Sequence, residues 1–246
     1  MRTKLLVSLL AIALYLLNGA PPLGVDSRAG AQQPSAPERV AALKQSLQQN
    51  QKRLRQYQWI ETMTVSLKGE EKSRKQQRCY YGADGKIQKL PVGDEQPQAS
   101  QGKGRRSGRV KQAIVENKKN EMQDYMERAV SLIQMYVPPD PALMKSAKDA
   151  GTAGVRASEP GLARLEFADY VKPGDLLAID LDTAANQLAG LSVASYLDAR
   201  EDAVNLAVQF ATLQDGTSYP AQTTLDATAK KIRVVLANTG YAPMPQ

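Results

Sequence analysis

The chain contains no histidine. The one side chain that ordinarily titrates near neutrality is therefore missing, and histidine-based acid–base catalysis and metal ligation are excluded. There is one cysteine, Cys79, so no intrachain disulfide can form. Only 5% of residues are aromatic, which leaves Leu, Val, Ile and Ala to build the core. The sequence holds no Cys-x-x-Cys, no phosphate-binding glycine loop and no Gly-x-Ser-x-Gly. Serine–lysine or paired-carboxylate chemistry needs no histidine, but no pair is singled out. Asp169, Asp175, Asp180 and Asp182 read as turn residues and outward strand positions. The expectation is a non-enzymatic chain with no cofactor and no metal.

No apolar run reaches the roughly 20 residues that span a bilayer. "LLVSLLAIALYLL" is thirteen uncharged residues, preceded by Arg2 and Lys4 and ended by Pro21 and Pro22. With Ala29-Gly30-Ala31 as a small-x-small site, residues 1–31 read as a secretory signal peptide cleaved near Ala31. The competing reading is a membrane anchor, and Ala20 is the alternative cleavage point. The expectation is a periplasmic or secreted bacterial protein, soluble and not membrane-spanning after processing, with residues 32–246 as one domain.

What is present is amphipathic patterning. Ser35-x-x-Glu38 resembles a helix-capping box, and Val40, Leu43, Leu47 and Leu54 predict a helix over about 36–56. Alternation then begins at Trp59 and runs through Met63, Val65 and Leu67. "SRKQQRCYY" and "IQKLPV" read as two further strands, joined at Asp84-Gly85. A polar segment occupies 93–108, and 109–137 reads as a long helix that stops at Pro138-Pro139. A shorter helix follows from Pro141 to about Ala150, then a Gly/Ala/Ser-rich connector to Pro160. Six more strands complete the chain. Short connections between strands imply antiparallel neighbours. The fold class expected is α+β: a curved antiparallel sheet of about nine strands, an open half-barrel, with the N-terminal helix and the helical insertion at about 93–160 packed in its concave face.

The net charge of +7 is uneven. Lys103, Arg105, Arg106, Arg109 and Lys111 form a basic stretch with no acidic residue among them. It reads as a solvated loop or as a binding site for an anionic surface or envelope partner. Nucleic acid is not expected, because no aromatic residue is interleaved for stacking. Met63, Met122, Met126, Met135 and Met144 lie on or beside the apolar faces, as core filling or as an adaptable lining. Cys79 reads as a packing residue, with a reactive thiol as the alternative.

The segments "LKQSLQQNQKRLRQYQWIETMTVSLKGE", "YGADGKIQKLPVG", "DYMERAVSLIQMYVPPDP", "YVKPGD" and "LAVQFATLQDGTSYPAQTTLDATAKKIRVVLANTGY" resemble uncharacterised exported bacterial proteins. The layout over most of 36–240 resembles the outer-membrane lipoprotein carrier and receptor superfamily. That likeness implies a half-barrel with a helical lid and a hollow for acyl chains. On this reading Trp59, Val65, Met122, Met126, Val208, Phe210, Val234 and Leu236 would line the hollow around a lipid, acyl chain or lipoprotein moiety. Carriage and sensing would use the same hollow. The alternative is a filled core, with an envelope partner engaged through the basic loop.

Overall fold

The computed structural model describes residues 36–92 and 108–244. Three helices, α1 (Ala36–Leu54), α2 (Gly108–Ile133) and α3 (Pro141–Asp149), accompany ten strands. These are β1 (Tyr57–Leu67), β2 (Glu70–Tyr81), β3 (Ile87–Pro91), β4 (Ala153–Glu159) and β5 (Leu162–Ala168). The remainder are β6 (Leu176–Asp182), β7 (Gln187–Tyr196), β8 (Ala203–Thr212), β9 (Ser218–Ala227) and β10 (Ile232–Pro243).

Turn chemistry joins the strands where the sequence places it. Asp84-Gly85 and Asp215-Gly216 close two of the hairpins, and both glycines have positive φ, +71° and +80°. Asp140 caps α3 by accepting from the Ala142 N–H at 2.8 Å, with Pro141 in the first turn.

The sheet order is β3-β2-β1-β10-β9-β8-β7-β6-β5-β4, and every neighbouring pair in it is antiparallel. The two ends of the described chain therefore meet in the interior of the sheet, through β1 and β10. The two strands that flank the helical insertion, β3 and β4, lie at opposite edges. The connection between them must cross the full width, roughly 43 Å at about 4.8 Å per strand step. A helix of 26 residues such as α2 spans about 39 Å, a length that matches most of that crossing.

Side-chain contacts trace the path. Glu121 pairs with Lys230 beside β10 at 2.5 Å. Tyr125 donates to Asp202, and Arg128 pairs with Asp198, both before β8. Tyr136, just past α2, donates to Asp175 before β6. Thus α2 runs along one end of the sheet. At the opposite end α1 docks on the β8–β9 turn, where Asn50 exchanges two hydrogen bonds with the Ser218 backbone (2.7 and 2.6 Å) and Arg53 donates to the Asp215 carbonyl.

One sheet face carries the core. Leu177, Val193 and Leu206 stand in register, as do Ile179, Leu191 and Val208. Ala129, Leu132, Ile133 and Tyr136 cover them from the α2 end, and Met144 of α3 joins them.

The half-barrel expectation is overturned. The sheet is open, with β3 and β4 unpaired to each other, and it is not strongly curled. The expectation of curl rests on the need to shield two apolar helix stripes. A helix laid across the strand ends shields its stripe without it, so there is no concave face for the helices to fill. Among the described residues the strand total is ten rather than nine because "AGVRASE" is β4. Its small residues read as a connector, but backbone pairing to β5 and the Arg156–Glu166 ion pair (2.9 Å) hold it as an edge strand. The expected signal peptide and the residues Lys103, Arg105 and Arg106 lie outside the described residues.

Candidate functional site

Strand alternation on β1, β9 and β10 sends Met63, Val65, Leu67, Leu225, Ile232 and Val234 to the face that α2 crosses. On α2, Met122, Met126 and Val130 recur at four-residue steps and so share a stripe above that face. The two surfaces do not close on each other. They bound a cleft of about 770 Å³, lined by these nine apolar side chains and by Ser66, Lys72, Gln123, Glu127 and Ser131. Tyr125, Ala227 and Ile232 pack as a small core beside it. Val130 is 42% exposed, so the stripe emerges at the cleft mouth.

The polar lining is tied into neighbouring contacts. Lys72 pairs with Glu70 at 2.5 Å, and this contact holds the Glu70 carboxyl below its usual range. Glu127 accepts from Gln123 at 3.0 Å. A second, more polar depression of about 610 Å³ lies against Asp124, Arg128, Met135 and Leu197, with Glu127 and Ser131 bordering both.

Of the residues assigned to a hollow from sequence, Val65, Met122, Met126 and Val234 meet in the cleft. Val208 packs against the main core instead. Phe210 and Leu236 are half-buried on the same strands and outside the cleft lining. Trp59 is 4% exposed and stacks on Tyr241 (5.4 Å, 10° between planes), with Tyr81 at 5.6 Å. Its indole Nε1 has no hydrogen-bond partner. Trp59 is therefore part of an aromatic cluster with Tyr57, Tyr219 and Tyr241, outside the cleft lining. Met63 joins Met122 and Met126 in the cleft, while Met144 is core and Met135 is exposed. In the basic stretch, Arg109 and Lys111 fall in the first turn of α2.

The aspartates do not converge. Asp169 accepts from the Gly174 N–H, Asp180 pairs with Arg164, and Asp182 caps the Ala184 and Ala185 N–H groups. Asp175 is 2% exposed. Its carboxylate accepts from the backbone N–H groups of Tyr170, Val171 and Lys172 and from the Tyr136 hydroxyl at 2.5 Å. Tyr136 also shares a 2.7 Å hydrogen bond with Ser195. Burial, then the Asp175 carboxylate, push the Tyr136 phenol far up. This enclosed network locks the end of α2 to the β5–β6 turn. It is not legible in the sequence, because a buried and a solvated turn aspartate look alike; the only signal is Tyr136 on the apolar stripe.

Among the described residues no group of three or more Cys, Asp or Glu is placed to hold a metal ion, and no helix is long and apolar enough to cross a membrane. The site is an apolar cleft with a polar border. Comparison with family models, curated proteins and solved structures finds no match to this chain.

Proposed function

We propose that this chain is an exported, non-catalytic binding protein for a hydrophobic ligand, held between α2 and the β1–β10 pair. The observation that carries the reading is the cleft itself. Its volume of about 770 Å³ falls within the roughly 300–1,000 Å³ usual for small-molecule sites. Apolar side chains dominate its lining, with a few polar groups at the border, which is the usual make-up of such sites. Three of its side chains are methionines, which adapt to ligands of varied shape. From Met122 to Ser131 the helix roofs about 14 Å of cleft, suited to an elongated ligand. Each methylene buried there contributes about 0.8 kcal/mol. The ligand would lie along the helix rather than inside a closed hollow.

The test is uptake of Nile red, a neutral dye that fluoresces in apolar surroundings, by the purified chain. We expect saturable one-to-one binding. Val130→Trp, at an exposed position that lines the cleft, should block it without disturbing the core. Native mass spectrometry of protein taken from its host should show a co-purifying mass. Absence of dye uptake together with a ligand-free mass sinks the proposal.

A further inference from the structure

One end of the cleft is built differently from the rest. Leu67 and Ile232, which line it, are followed and preceded by Lys68 and Lys231. These two lysines sit in adjacent turns, where the Lys68 N–H donates to the Lys231 carbonyl at 2.8 Å. Both have left-handed backbone, φ 55° and 52°, at positions where Asn, Asp or Gly is ordinarily preferred. Neither carries an ion pair among the described residues.

Another lysine is brought to the cleft wall itself by an irregularity of the ladder. Val65 pairs with Ser73, but the next residue, Ser66, pairs with Glu71. Lys72 is thus the extra residue of a β-bulge, a device that redirects a side chain. Its side chain lines the cleft beside Leu67.

The acids at this end are already matched. Glu70 pairs with Lys72, Glu71 with Arg74, and Glu121 with Lys230. Lys68 and Lys231 are left as a cationic excess beyond the last apolar residues. Glu127, the one carboxylate in the lining, stands on α2 rather than in these turns, and it is engaged by Gln123.

We infer that the ligand is a long-chain fatty acid, its chain along α2 and its carboxylate at the Lys68–Lys231 end near Lys72. The inference rests on the cleft being a ligand site. A linear amphiphile has its single charge at one end, and the cleft has its unmatched charge at one end. That complementarity selects an anionic head over a neutral or cationic one.

The experiment is displacement of Nile red from the whole purified chain by three ligands of equal chain length: hexadecanoate, hexadecanol and hexadecylammonium. We expect hexadecanoate to compete about five- to tenfold better than hexadecanol, an order set by two exposed charge contacts. The advantage should shrink at high salt, because exposed charges are screened. Lys68→Asn with Lys231→Asn places residues that tolerate left-handed backbone at both positions. It should bring hexadecanoate down to the level of hexadecanol and leave hexadecanol unchanged. Equal competition by acid and alcohol, or preference for the ammonium, overturns the head-group inference while the apolar site stands. Failure of all three to compete, with no dye bound at the outset, removes the site and the inference together.

Discussion

Cys79 has no surface exposure and faces Trp59 across the β1–β2 ladder. Burial, and then the charge of Glu61, push its thiol from 9.0 to about 11. The thiolate is the nucleophile, so Cys79 should resist Ellman's reagent until denaturant is added. The same shift has a stability consequence. The folded chain holds this proton more tightly than the unfolded chain, so the contribution is complete below about pH 9 and disappears as pH rises through 11. Urea unfolding should show wild type losing roughly 2–3 kcal/mol more than Cys79→Ala over that window. Equal slopes would mean that the thiol is not enclosed. Tyr81 and Tyr170, held up to about 12 by burial, extend the alkaline loss to higher pH. Asp175 is an enclosed hydrogen-bond acceptor. Asp175→Asn places an amide against three backbone N–H donors. It should cost about 2–4 kcal/mol, since each stranded donor costs about 1–3. Tyr136→Phe removes the hydroxyl's two bonds, to Asp175 and Ser195, but strands no backbone donor, and should cost less. If Asp175→Asn is neutral by urea titration, the turn is not anchored through this carboxylate.

At the scale of elements, α1 shows how a helix is fixed to a sheet it barely overlaps. The Asn50 amide copies a strand's backbone: it donates to the Ser218 carbonyl and accepts from the Ser218 N–H. Asn50→Ala strands both groups and should cost about 2 kcal/mol by thermal or urea unfolding. Asn50→Asp keeps only the acceptor and should fall between. A cost below a few tenths would show α1 to be held by its other contacts, Leu54 and Arg53 among them. Asn50 cannot be picked out from sequence, because on a helix it reads as one more polar residue of the solvent face. Strands with strict alternation, such as Val204–Leu206–Val208, are legible because period-two patterning is local. Gly154 and Ala157 are not, because what makes β4 a strand is its neighbour β5. Four of the eight proposed lining residues reach the cleft, and periodicity explains why: alternation on the strands and four-residue steps on α2 each assign a side chain to a face. Periodicity does not say which part of a sheet face a helix covers. That depends on β3 and β4 lying at opposite edges, a long-range fact that sets the path of α2 and removes the need for curl.

Across the whole molecule, cover is uneven, and the proposed function rests on the unevenness. Leu177, Ala178 and Ile179 in β6 are fully buried, and β7 and β8 share that core. In β2 and β3 nearly every side chain is exposed or half-exposed, Cys79 excepted. Between these extremes lie β1 and β10, packed on one flank and open to the cleft on the other. Local opening free energy tracks buried apolar contact, so amide hydrogen exchange should be slowest in β6–β8, intermediate in β1 and β10, and fastest among strands in β2–β3. A spread of about tenfold or more is expected between the first and last groups. Uniform rates would mean that the sheet opens only as one body. The same measurement tests the site. A fatty acid in the cleft would supply the apolar contacts that β1 and β10 lack, and ligand that binds only the folded form stabilises it. Added hexadecanoate should therefore slow exchange at Met63, Val65, Leu67 and Val234 while leaving β6 nearly unchanged. Slowing confined to β6–β8, or none at saturating ligand, would place the ligand elsewhere and leave the cleft as a gap in the packing.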